Sequence, residues 1–419
     1  MDLIVRNAHL RGREREVDIG ISAGRICSIE DRIREQADRE IDAAGNLVTP
    51  TFVDPHTHLD RALVSGSVPP TSPKTSFRAR DIAIERKRRY THEDVVYRAS
   101  QLVEWAVSHG TTVIRTHVDV DPGVGLLGLE AIMEVKEKYA DLADIQTVVF
   151  PSAGLAQVPQ AVNLCREAFR LGADVMGGVP HAEADDENRR RHIDIAFSLA
   201  HEFDADLDMH LDATLNPASR NLVYFARRAI ECGFQGRVTA GHTCALSAYD
   251  DQFAAEVIDL LLEARMNVIT VPTVDLMFQG SGVSRLRPRG ITRVDQLLEA
   301  GVTVTYGQNN VLDPYSPIFG QADLLEVGMI LAFAAQFNTP EEIEMLFDMP
   351  TKVSAAVLKV PDYGVRVGAK ASLNILEAKT VQEAFRTRCT RLFVLKEGRV
   401  IAEGRTHKKI FRRGDAPPL

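Results

Sequence analysis

Leu47-Val48-Thr49-Pro50-Thr51-Phe52-Val53-Asp54-Pro55-His56-Thr57-His58 is the stretch on which the fold turns. An apolar, β-rich run ends in two histidines at i and i+2. Side chains alternate along an extended chain, so both imidazoles point to one side of the strand end. Neutral imidazole is the commonest metal-binding side chain, and the pair has the form of half a coordination sphere. Two solvent-exposed loop histidines are the alternative that the pair alone leaves open.

Outward from this run the sequence changes texture. Downstream, Thr91-x-x-Asp94 has the form of a helix N-cap, followed by Val95, Ala99, Leu102, Val103 and Ala106 at helical spacing. The helix ends at Gly110, and the strand run Thr111–Thr116 follows at once. Strand-like runs recur at Ile145–Phe150, Asp174–Val179, Asp206–His210, Val238–Gly241, Asn267–Val271 and Val302–Tyr306. Helical segments lie between them, at Gln160–Leu171, Ile193–Glu202, Ser219–Cys232, Asp250–Ala264 and Thr292–Ala300. With the strand ending at the histidine pair, eight strand–helix couplets occupy 50–364, the requirement of a (β/α)8 barrel of the TIM type. A doubly wound open sheet competes, but no strand is followed by G-x-G-x-x-G.

Both chain ends read differently. Leu3–Val5, Glu16–Ile21 and Arg25–Ile29 are short β-rich runs, and Ala371–Leu376, Arg391–Leu395 and Arg399–Ala402 repeat that texture, with Glu397-Gly398 as a hairpin turn. A small β-sandwich domain built from 1–49 and 365–404 is therefore expected beside the barrel, with 405–419 as a tail.

Composition bounds the function. The 419 residues are 45% hydrophobic and 26% charged, with a net charge of -9, which speaks against a nucleic-acid partner. No apolar run approaches the roughly 18 residues needed to span a bilayer, and the start lacks a signal-peptide pattern. Five scattered cysteines without a C-x-x-C pair read as reduced thiols of a cytoplasmic protein. A homo-oligomer acting on a small-molecule substrate is the expected form.

Chemistry in such barrels sits at the C-terminal strand ends. There the sequence places His56 and His58, then His117, His181, His210 and His242, six of the twelve histidines. His117 and His181 read as hydrogen-bonded rim residues, and His210 and His242 as functional ones.

The order H-x-H, then one histidine after each of strands five and six, resembles the amidohydrolase superfamily, and within it cytosine deaminase and its relatives. His56-Thr57-His58-Leu59-Asp60, Arg115-Thr116-His117-Val118-Asp119, Leu171-Gly172-Ala173-Asp174, Arg289-Gly290-Ile291-Thr292-Arg293, Asp313-Pro314 and Asp362-Tyr363-Gly364 carry the likeness, which runs to about residue 404. The resemblance implies one divalent ion, Zn2+ or Fe2+, on His56, His58 and His210. It implies His242 beside the nucleophilic water, and Arg61–Tyr90, with Pro69, Pro70 and Pro73, as a loop over the pocket. Ser152, Asn310 and Tyr315 are the expected substrate contacts.

Two positions depart from the pattern. The glutamate that follows the strand-five histidine by three residues in the deaminases is Ala213 here, and the strand-eight aspartate is Asn309. A glutamine after strand three is replaced by Ser152. An amide oxygen ligates or accepts a hydrogen bond but lacks useful basicity. Asp212 and Asp119 stand near strand ends, either as replacement carboxylates or as rim hydrogen-bonders. Three readings follow: a divergent hydrolase of C–N bonds in a small nitrogen heterocycle or cyclic amide, with His242, Asp212 and Asn309 as its catalytic set; a binding or regulatory protein that has lost turnover; or a metal-dependent non-hydrolytic enzyme.

Overall fold

The computed structural model describes residues 1–64, 76–316 and 319–410. Its strands are β1 (Leu3–Ala8), β2 (Val17–Ser22), β3 (Arg25–Glu30), β4 (Arg39–Asp42), β5 (Leu47–Pro50), β6 (Phe52–Thr57), β7 (Thr111–Asp119) and β8 (Asp144–Phe150). They continue as β9 (Val175–Gly178), β10 (Asp206–Leu211), β11 (Val238–His242), β12 (Asn267–Thr270), β13 (Thr303–Tyr306), β14 (Leu373–Leu376), β15 (Arg391–Lys396) and β16 (Arg399–Glu403).

β6 to β13 form one eight-stranded parallel sheet in chain order. Parallel neighbours need a crossover, and helices such as His92–Ser108, Asp186–Glu202 and Asp251–Glu263 supply it. Strands covered on both faces are buried along their length: every residue of β6 and β7 is buried, polar ones such as Asp54, Arg115 and Thr116 included. The first crossover helix starts as its sequence dictates. Thr91 accepts a hydrogen bond from Asp94 N at 3.2 Å, and Val95, Ala99, Leu102, Val103 and Ala106 are buried.

The sheet closes between its first and last members at the C-terminal end. Asn309 N donates to His56 O at 2.8 Å, and His58 N donates to Asn309 O at 3.2 Å. Thr57 Oγ1 adds a bond to Asn309 O at 3.0 Å. Gly307 lets the strands approach: a Cβ there would lie 2.7 Å from both His56 Cβ and His56 O.

Two four-stranded sheets, ordered β3-β2-β1-β4 and β16-β15-β14-β5, make the small β-sandwich from both chain ends. Val5, Ile19 and Ile21 of one share an apolar core with Val48, Leu373, Ile375 and Leu395 of the other. The β15–β16 turn is Glu397-Gly398, both with positive φ (47° and 77°), as a two-residue hairpin requires. The added strand, β4, has the sequence Arg-Glu-Ile-Asp with only Ile41 buried, so it gave no apolar alternation to read.

The segment expected as a loop over the pocket contains a helix, Ser76–Lys87. Pro69, Pro70 and Pro73 lie outside the described residues, as do 411–419 of the expected tail.

Gly307→Ala is expected to destabilise the protein by about 2 kcal/mol, through overpacking against β6. Urea unfolding monitored by circular dichroism measures it, and a change below the noise would remove Gly307 from the closing seam.

Candidate metal centre and cavity

Four strand ends deliver the histidines. Nε2 of His56 lies 3.2 Å from Nε2 of His210, and Nε2 of His58 lies 3.1 Å from the same atom. His58 Nδ1 faces the His117 carbonyl at 3.0 Å. A carbonyl only accepts, so the His58 proton sits on Nδ1 and its Nε2 lone pair is free. Burial pushes the pKa values of His56, His58, His117 and His210 well below the ordinary imidazole value, so all four are neutral. Bonds of about 2.0–2.1 Å in a tetrahedral site put ligand nitrogens roughly 3.3 Å apart. The two separations from His210 match that spacing, and the neutral rings are in ligand form. This donor set fits a divalent cation.

His117 departs from the expected rim position. It is fully buried inside the cluster, its ring 4.2 Å from that of His56 and 4.7 Å from that of His210. Neither of its ring nitrogens has a hydrogen-bond partner. The donor atoms of His56, His117 and His210 lie within 4.8 Å of one another, which brings a fourth imidazole within reach of the centre.

The cluster opens on a cavity of about 380 Å³ whose wall includes His210, His242, Ala213, Phe150, Asn309 and Tyr315. His242 Nδ1 meets Asp275 Oδ1 at 2.8 Å, and both side chains are buried. The carboxylate fixes the proton on Nδ1 and leaves Nε2 to act. Asp275 escaped sequence reading because it lies in the short helix Pro272–Phe278 after β12, with no spacing relation to His242. Asn309 Oδ1 is buried without a hydrogen-bond partner. Ala213 presents a methyl to the cavity while its carbonyl accepts from Gln279 Nε2 at 2.9 Å.

Asp212 stands elsewhere. Its oxygens accept from Ser219 Oγ at 2.6 Å, Asn221 Nδ2 at 2.7 Å and Leu222 N at 2.9 Å. The carboxylate is thereby tied to the start of the helix Asn221–Glu231, while its neighbours Ala213 and Thr214 form the cavity wall. That geometry anchors a helix, and Asp212 is not among the described residues that line the cavity. Ser152, Asn310 and Tyr315 all line the cavity. Ser152 Oγ receives Lys87 Nζ at 2.9 Å and donates to Asp121 at 3.1 Å, and Asn310 donates to Asp313. Lys87 was also missed, because the helix carrying it was read as loop. His181 lines the cavity as well.

A closed β/α barrel with imidazoles converging at its C-terminal mouth, beside a His–Asp pair, defines the class of barrel proteins built to hold a catalytic cation. Comparison with known proteins narrows the class. The chain belongs to the amidohydrolase family, whose model matches residues 39–406. It is 33% identical over 414 residues to the N-isopropylammelide isopropyl amidohydrolase of Pseudomonas sp. strain ADP, covering 96% of this chain and 97% of that one. A pterin deaminase of Rhizobium rhizogenes is 29% identical over 365 residues, 86% of this chain and 82% of the other. Among solved structures, 5-methylcytosine deaminase of Klebsiella pneumoniae with phosphonocytosine superposes with a TM-score of 0.91 at 32% identity. That match covers 97% of this chain and 100% of the deaminase.

Replacing His210 with alanine removes the nitrogen shared by both short contacts. Metal content by mass spectrometry is expected to fall at least tenfold relative to wild type, and undiminished metal would refute the ligand assignment. Asp212→Ala is expected to cost about 2 kcal/mol of stability through the lost helix anchor, with metal content retained. A catalytic loss at unchanged stability would instead return Asp212 to the chemistry.

Proposed function

We propose that the protein is a metal-dependent hydrolase that cleaves a C–N bond on a small nitrogen heterocycle, releasing an amine or ammonia. The observation that carries this reading is the close approach of His56 and His58 Nε2 to His210 Nε2, with His210 on the wall of a cavity that also holds the His242–Asp275 pair. The named activities of the relatives, on N-isopropylammelide, pterin and 5-methylcytosine, support the substrate class. One divalent cation, Zn2+ or Fe2+, held by the three histidines would lower the pKa of a bound water and supply hydroxide at neutral pH.

This chain's residues divide the remaining work. His242 is held in one tautomer by Asp275 and moves the proton at Nε2 between the water and the leaving nitrogen. Asn309 Oδ1 accepts a hydrogen bond that orients the nucleophile but takes no proton. Ala213 offers no group to protonate a ring nitrogen, so the reading favours an exocyclic amine already basic enough to accept its proton from His242. Phe150, Tyr315 and Phe278 give the ring apolar faces to lie against. Ser152 and Asn310 complete the proposed substrate contacts. A binding protein without turnover is the second reading, favoured by the same Ala213 and Asn309. The five cysteines, all unpaired, support the proposed cytoplasmic location, and the exposed Phe319 and Phe333 support self-association.

Amine release from a panel of amino-substituted pyrimidines, triazines and pterins, using protein of measured metal content, tests the reading. Turnover is expected on at least one ring, with Asp275→Asn slower by about 10²-fold or more because the amide no longer fixes the His242 tautomer. Metal-loaded protein that releases amine from none of them supports the binding protein instead. The pair Ala213→Glu with Asn309→Asp is expected to gain cytosine deamination if these positions correspond to the deaminase carboxylates.

A further inference from the structure

Three charged side chains on the cavity wall take no part in the reaction above. Arg61, Lys87 and Asp119 each line the cavity and each is at least nine-tenths buried. Asp119 stands between the other two: Arg61 Nη1 is 3.9 Å from Asp119 Oδ1, and Lys87 Nζ is 3.8 Å from Asp119 Oδ2. Both separations exceed hydrogen-bond length. Among the described residues, Arg61 Nε and Asp119 Oδ1 have no hydrogen-bond partner at all. Buried polar atoms left this way are costly unless something else satisfies them.

The three groups are fixed in place by contacts that leave those atoms spare. Arg61 sits over the rings of Tyr315, at 5.2 Å, and Phe150, at 5.7 Å, and 3.9 Å from Asp313. Lys87 is tied to Asp121 and to Ser152 Oγ. Asp119 N donates to Asp60 Oδ2 at 3.0 Å, which holds the end of β7. The group lies one aromatic ring away from the histidines, since Phe150 contacts His210 at 4.5 Å and His58 at 5.4 Å between ring centroids.

In order along the wall these residues offer donor, acceptor, donor. We propose that Arg61, Asp119 and Lys87 read the imide edge of a dioxo-substituted ring, C=O, N–H, C=O, whose pattern is acceptor, donor, acceptor. Arg61 and Lys87 each donate to one carbonyl, and Asp119 accepts from the N–H between them. A simple anion is disfavoured, because its charge would meet the Asp119 carboxylate. An aminopyrimidine edge such as cytosine's, acceptor, acceptor, donor, would set its ring nitrogen against Asp119 and its amino group against a cation. The inference rests on the hydrolase reading and narrows its substrate to heterocycles that keep an imide edge while losing an amine from another carbon.

Binding of three unreactive or poorly reactive probes tests it without requiring turnover. Uracil carries the imide edge, 3-methyluracil replaces its N–H with a methyl, and cytosine changes the edge pattern. By titration calorimetry on the metal-containing protein, uracil is expected to bind at least about tenfold more tightly than either of the others, the scale of a buried hydrogen bond to a charged group. Lys87→Met and Asp119→Leu are each expected to shrink that preference to less than about threefold. Equal binding of the three probes, no binding of any, or a uracil preference untouched in both folded variants overturns the inference. Amine release measured on the same preparation keeps the two proposals apart. Turnover without the uracil preference removes this inference alone, and the preference without metal or turnover removes the hydrolase reading alone.

Discussion

The short parallel bridge between Thr57 and Asn309 is the contact on which the rest depends. It is formed by main-chain bonds from Asn309 N to His56 O and from His58 N to Asn309 O, so the last strand end is pinned to the first. Without it the eight strands are an open sheet with two unsatisfied edges. The same few residues carry the two leading histidines and the strand-eight amide. Asp54 adds a second tie at this seam by accepting from His56 N and Gln308 N, each at 3.2 Å. Burial raises its carboxyl to about 7, the sign of a group taken out of water for geometry rather than for charge.

The mouth of the barrel repeats one local device. Asp212, His242 and Asn309, each at or just past a strand end, have φ of 48°, 71° and 58°. Left-handed backbone turns the chain sharply off the sheet axis, and it is costly for most side chains. Asparagine adopts it most readily of the three, which gives Asn309 a conformational reason to stand at the seam as well as a chemical one. Hydrogen bonding to a carboxylate then fixes what the backbone has turned outward, as with Asp275 on His242 and Asp212 on the helix that follows it.

Much of this was legible in the residues, for physical reasons that also mark where legibility ended. Strand–helix alternation is a periodic signal, so the eight barrel strands and the hairpin at Glu397-Gly398 could be read directly. The histidines could be read too, because strand ends map onto one face of a barrel. β4 could not, since a charged edge strand has no apolar alternation. His117 was placed at the rim because nothing in Arg115-Thr116-His117 says how deeply a strand end sits. Asp212 was read either as a replacement carboxylate or as a rim hydrogen-bonder, and what spacing could not tell is that its Oδ2 accepts from Leu222 N at the start of the next helix. Asp275, Arg61 and Lys87 meet their partners only through tertiary packing, and no spacing rule finds them.

The closing seam has a thermodynamic side. His56 and His58 belong at once to the first barrel strand and to the cluster around His210, and their backbone atoms are the ones that Asn309 holds. Anything that binds those imidazoles in the folded state therefore also draws the two ends of the sheet together. By linkage, its binding free energy is added to the stability of the closed barrel. Conversely, every loosening of the seam is repaid as weaker affinity at the centre. Occupancy of the site and closure of the barrel are in this protein two readings of a single equilibrium.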